Sequence, residues 1–188
     1  MKTERLIVGG VALLVGLLLG WMVRGVSTYN THAAQVATYD DWRVACPAAE
    51  TKEGACEIST DIMDRSQPQP TPIARATITT DKDGKQIMGF IVPYGVSLEA
   101  GMGLRIGKDP VKVIPYRTCN TVGCIAQTAF DDPLSKSLKS ADDVAVMFAG
   151  LDGKPVSYQL SFKGYGTSYG AWRSQDSRRK TWFWRLFS

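Results

Sequence analysis

The chain is poor in histidine, with one, His32, in 188 residues. That scarcity excludes Ser-His-Asp and Cys-His nucleophilic catalysis, and any metal centre built on imidazole, because each needs a ring held beside its partners. His32 sits in a polar stretch and reads as a solvated spacer. No C-x-x-C is present, which argues against a dithiol oxidoreductase. Gly101 to Gly107, GMGLRIG, lacks the GxGxxG spacing and the strand-turn-helix setting of a nucleotide loop. The carboxylate pairs Asp131-Asp132 and Asp142-Asp143 come without ligand spacing for calcium or a partner for acid–base work. They read as flanks of a short helix, with Asp132 as its cap. There is no internal repeat. An enzyme is not expected, nor a cofactor, nor a metal.

What is present begins at the N-terminus. Leu6 to Val23 is a run of 18 residues without a charge, about 27 Å as a helix against a hydrocarbon core of roughly 30 Å. Lys2 and Arg5 precede it and Arg24 follows, so the positive-inside bias puts the N-terminus in the cytoplasm and the rest outside. A cleaved secretory signal is the rival reading. Its apolar region is usually shorter and ends at a small-x-small site, whereas Ala33, Ala34 and Ala37 are wrongly spaced for one. Gly9, Ala12, Gly16 and Gly20 fall on one helix face, and Gly16 with Gly20 forms the GxxxG spacing that lets helices approach closely in lipid. The division read from the sequence is an anchor over 1–24, a linker over 25–39, a β-rich domain over 40–174 and a tail over 175–188.

The net charge of +4 hides an asymmetry. Arg173 to Ser188 carries +4 and Met1 to Arg24 carries +2, which leaves −2 for the residues between. A nucleic-acid binder needs its cations on the folded face, so nucleic acid is not a partner.

Four cysteines form two close pairs in sequence, Cys46 with Cys56 and Cys119 with Cys124. In an exported domain an even count points to disulfides; three connectivities are open and local pairing is the simplest. Around them lie many short β-rich segments: Trp42 to Cys46, a strand starting at Cys56, Arg75 to Thr80, Gln86 to Val92, Leu104 to Ile106, Val111 to Tyr116, Val144 to Phe148 and Val156 to Phe162. Asp83-Gly84 and Asp152-Gly153 mark hairpin tips, and Ser66 to Pro72 is a loop or edge crossing. Helical hints are limited to Pro133 to Ser140 and Tyr169 to Ser174. The pattern predicts an all-β fold, a single sandwich or barrel-like domain with one or two short helices, preceded by one transmembrane helix.

Five motifs in order carry a resemblance: Trp42 to Cys46 (WRVAC), Cys56-Glu57-Ile58, Val92 to Gly101 (VPYGVSLEAG), Cys119 to Cys124 (CNTVGC) and Leu160 to Tyr165 (LSFKGY). Together they resemble the invasion-associated locus B family of alphaproteobacteria over about Asp40 to Ser174. The second cysteine pair has one more intervening residue than the family spacing. The resemblance implies a secreted or envelope β-domain, with both disulfides local and no established enzymatic activity.

The last segment interleaves Arg178, Arg179, Lys180 and Arg185 with Trp182, Phe183, Trp184, Leu186 and Phe187. Rings at headgroup level with cations near phosphates are what interfacial segments use; a strand or helix capping the β-domain would bury the same rings. The sequence thus predicts a single-pass protein of a bacterial inner membrane, its main domain periplasmic. The expected partners are membrane lipid and other inner-membrane subunits. Two functions remain open: an accessory or scaffolding subunit, and an exported envelope factor acting outward.

Overall fold

The computed structural model describes residues 2–27, 34–48 and 54–180. A helix, α1 (Lys2–Ser27), comes first. Its described side chains, 9–21, are all exposed. Among the described residues no helix is long and apolar enough to cross a membrane.

Eleven strands follow among the described residues: β1 (Gln35–Tyr39), β2 (Trp42–Cys46), β3 (Glu57–Asp64), β4 (Thr71–Thr80), β5 (Gln86–Val92), β6 (Met102–Ile106), β7 (Lys112–Ile114), β8 (Tyr116–Asn120), β9 (Gly123–Ala129), β10 (Val144–Ala149) and β11 (Pro155–Gln159). Helix α2 (Asp132–Ser140) precedes β10, and α3 (Tyr165–Lys180) follows β11. They make a seven-stranded sheet, β1-β2-β3-β4-β5-β9-β8, and a four-stranded sheet, β11-β10-β6-β7. Every pairing is antiparallel. Two packed antiparallel sheets are the mostly-β sandwich that the strand spacing predicts.

Alternation explains the layers. In β2 the residues Trp42, Val44 and Cys46 are buried, while Arg43 and Ala45 are partly covered on the opposite face. The small sheet lies over part of the large one, with β11 meeting β3 and β7 meeting β9. Helix α3 packs on β1, β2 and β3. The core holds Ile58, Ile62, Ile78, Met88 and Phe90 from the large sheet, and Met102, Leu104 and Val146 from the small one.

Several elements differ from the sequence reading. The stretch read as linker contributes β1, which pairs along β2 from Gln35↔Cys46 to Tyr39↔Trp42. The single strand read over Val111 to Tyr116 is two, because Pro115 offers no N–H to a ladder and the chain there passes from the small sheet to the large. Strand β4 starts at Thr71, so Pro72 is in a strand, opposite Met63 where the register shifts. The cap of α2 is Asp131, not Asp132: the Asp131 carboxylate accepts the Leu134 N–H at 2.9 Å. Asp143 forms an ion pair with Arg105 at 2.9 Å. The helix read over Tyr169 to Ser174 extends over Tyr165–Lys180, so the boundary placed at 175 falls inside it.

Candidate functional site

The cysteines lie on facing hairpin positions. Ala45 is opposite Glu57 in the β2–β3 ladder, so Cys46 and Cys56 meet one step further on, bonded with Cα atoms 4.2 Å apart. Cys119 and Cys124 are direct partners in the β8–β9 ladder and are bonded at a Cα separation of 4.0 Å. Both disulfides are therefore local. They differ in setting: Cys46 and Cys56 are buried, while Cys119 sits on the exposed edge strand β8.

Helix α3 closes over the buried pair. Trp172 has no exposed surface, and its Nε1 donates to the Cys56 carbonyl at 2.8 Å. Thr79 Oγ1 donates to the same oxygen at 3.2 Å. The Gln175 side-chain amide abuts Cys46 Sγ at 2.8 Å. A row of rings runs along the helix: Trp42 to Tyr165 at 5.0 Å, Tyr165 to Tyr169 at 5.7 Å, and Tyr169 to Trp172 at 5.5 Å between centroids. Lys139 of α2 stands over the Tyr169 ring at 4.5 Å, a cation–π contact. Burial pushes the Tyr165 hydroxyl well above its ordinary range. Ser135 is its polar neighbour, but among the described residues no bond of hydrogen-bond geometry reaches that oxygen.

This packing gives the domain two poles. Gln35, where the chain enters β1, is registered against Cys46. Tyr165, at the start of α3, lies against Trp42, at the far end of β2. Ten residues on, Gln175 has reached Cys46. Entry into the sheet and the end of α3 are thus at the same pole, beside the Cys46–Cys56 bond.

On the open face of the large sheet, Asp61 accepts from Arg75 at 2.7 Å and lies 3.7 Å from Arg43. Glu57 shares this face, and burial raises its carboxyl pKa against the opposing pull of Arg75 and Arg43. A groove of about 450 Å³ beside this ladder is lined by Val36, Thr38, Arg43, Asp61, Met63 and Arg65, among others. Arg65 has no ion pair among the described residues. Nearby, the Ser161 hydroxyl donates to Asp41 at 2.6 Å and the Ser161 carbonyl accepts Trp42 Nε1 at 2.9 Å. The Lys163 N–H donates to the same hydroxyl at 3.3 Å, and these bonds fix the crossing from β11 to α3.

The remaining residues singled out in the sequence are not brought together. Gly9, Ala12, Gly16 and Gly20 lie on α1, and a methyl group added at any of the three glycines meets nothing within 4 Å among the described residues. Arg178, Arg179 and Lys180 fall in the last turn of α3. Trp182, Phe183, Trp184, Arg185, Leu186 and Phe187, like His32, lie outside the described residues. Sequence reasoning missed the α3 clamp, although its signal was there: Tyr165, Tyr169 and Trp172 follow the i, i+4, i+7 spacing of one helix face. The Arg43–Asp61–Arg75 ladder had no comparable signal, because it exists only through the register of three strands.

The profile of the family described as invasion associated locus B (IalB) protein matches residues 42–173. The chain belongs to this family. Two relatives are invasion protein B homologues of Brucella abortus, from strain 2308 and from biovar 1 strain 9-941. Each is 27% identical over 132 residues, spanning 70% of this chain and 75% of the relative. The crystal structure of invasion associated protein B from Bartonella henselae superposes with a TM-score of 0.60 at 17% identity, over 76% of this chain and 99% of that one. That likeness shows the shared sandwich fold. The family name denotes association with invasion and specifies no enzymatic reaction.

Proposed function

We propose that this IalB-family chain is a non-catalytic accessory or scaffolding subunit of an inner-membrane assembly, anchored through Leu6 to Val23 with its β-domain in the periplasm. One observation carries the reading: entry into the domain at Gln35 and the end of α3 share the pole beside Cys46. The apolar N-terminal segment and the basic-aromatic tail both lead from that pole. A membrane surface there meets both with the domain in a single orientation, Trp182, Phe183, Trp184, Leu186 and Phe187 at headgroup depth and the neighbouring cations beside phosphate.

The small-residue face of Gly9, Ala12, Gly16 and Gly20 then packs on a partner helix, since close backbone approach drives association where lipid is as apolar as the side chains. Gly16→Ile with Gly20→Ile tests this. The double variant should stay in the membrane fraction, keep both disulfides and lose its co-purifying subunits in mild detergent. Unchanged co-purification would reduce the helix to a tether.

The names of the Brucella and Bartonella relatives favour a second reading, an exported factor acting on a host surface or an envelope ligand. That factor would be released from its N-terminal segment, whereas a subunit keeps it.

A further inference from the structure

Three loops meet at the pole opposite the entry point at Gln35: residues 93–101 between β5 and β6, 121–122 between β8 and β9, and 150–154 between β10 and β11. They brace one another. The Leu151 N–H donates to the Gly95 carbonyl at 3.1 Å, and the Ser97 N–H to the Ala149 carbonyl at 2.9 Å. Val96 and Gly150 form a β-bridge. The Tyr94 hydroxyl donates to the Asn120 carbonyl, which ties the first loop to the second. Gly123, at φ +139°, lets the β8–β9 turn lie on the end of β5, where a Cβ would stand 2.4 Å from the Val92 carbonyl oxygen. The Cys119–Cys124 bond closes that same turn.

On this rigid backbone the large apolar side chains are left in water. Tyr94 is 59% exposed, Leu98 58%, Val122 64% and Leu151 82%. Single exposed apolar residues are ordinary, but four on three mutually hydrogen-bonded loops make a preorganised patch of the kind that marks interaction sites. Its charges are few: Glu99, and Asp152 with Lys154 paired to each other at 3.9 Å.

We propose that this pole docks an apolar, uncharged face of another protein, and that the Cys119–Cys124 disulfide serves to hold Val122 in that surface. Charge argues against a lipid occupant, because the three loops carry Glu99 and Asp152 against the single cation Lys154 and so offer phosphate headgroups no net positive charge. The position of Gln35 and Gln175 argues against a second copy. Both flanking segments lead from the far pole, so copies in one membrane present these loops outward and cannot meet head to head. This orientation rests on the anchored reading above.

The test places a photo-crosslinking amino acid at Leu98, Val122 or Leu151 of the full chain in its native cells, with Lys136 on α2 as the control. The same protein, identified by mass, should be captured from all three pole positions and not from Lys136. With that protein purified, Leu98→Asp and Leu151→Asp should each weaken binding at least tenfold while leaving the disulfides and melting temperature unchanged. Absence of a common adduct, a self-adduct only, or pole-dependent flotation of the purified chain with phosphatidylcholine vesicles would each overturn the proposal. A chain cut near Gln35 that still yields the common adduct would sink the anchored reading alone and leave the docking pole standing.

Discussion

Trp172 shows how single residues hold this domain. It fills the space under α3 with no exposed surface and ties the helix to the Cys56 carbonyl. Trp172→Ala should cost about 3–5 kcal/mol in urea unfolding with the disulfides intact, the range for a large aromatic removed from a core. Trp172→Phe should cost clearly less, because the Cys56 carbonyl keeps the Thr79 hydroxyl as a partner and is not orphaned. Equal losses for the two variants would mean that the hydrogen bond, not packing, holds the helix. Glu57 acts in the opposite direction. Its pKa is raised by burial, so its contribution to stability is greatest below its unfolded value, near 4.5, and is lost as pH rises through the folded value. Glu57→Gln should therefore raise the melting temperature at pH 7, and the gain should shrink as pH falls below 4.5. A variant less stable than wild type at pH 7 would show that the Arg43 and Arg75 attractions outweigh desolvation.

Among the elements, α3 decides whether the β1–β3 end of the large sheet has a core. Its start depends on Gly164, at φ +81°, where an added Cβ would lie 2.0 Å from the Tyr39 carbonyl oxygen. A side chain there meets both the left-handed backbone cost of about 1–2 kcal/mol and a collision with main chain. Gly164→Ala should therefore lose near-ultraviolet dichroism from the Trp42–Tyr165–Tyr169–Trp172 row while keeping its far-ultraviolet strand signal. An unchanged aromatic spectrum would contradict this account of the clamp. Elements that bury one face were legible in the sequence. The patterns of Trp42 to Cys46 and Gln86 to Val92 predict the observed strand limits, because each puts large apolar residues on the core side. The edge strands were not. QVATY in β1 has little apolar contrast, and YRTCN in β8 is mostly exposed, so both exist through their partners and not through their own pattern. Helix α3 was half legible: its ring spacing is helical, but Gly166, Gly170 and several serines weaken the local propensity that packing then overrides.

At the scale of the molecule, the domain has two poles. The Cys46–Cys56 pole gathers the entry to β1 and the end of α3. The opposite pole gathers three braced loops and their exposed apolar side chains. Neither pole was legible in the sequence, since each joins segments distant along the chain, Cys46 with Gln175 at the first and Gly95 with Leu151 at the second. The membrane reading depends on Leu6 to Val23 staying attached to the first of these poles. Intact-mass measurement of the protein, extracted by detergent from alkali-washed native membranes, tests this most directly. The anchored account predicts a species that retains the N-terminal segment through Val23, with both disulfides formed; a mature species beginning near Gln35 or Thr38 would contradict it.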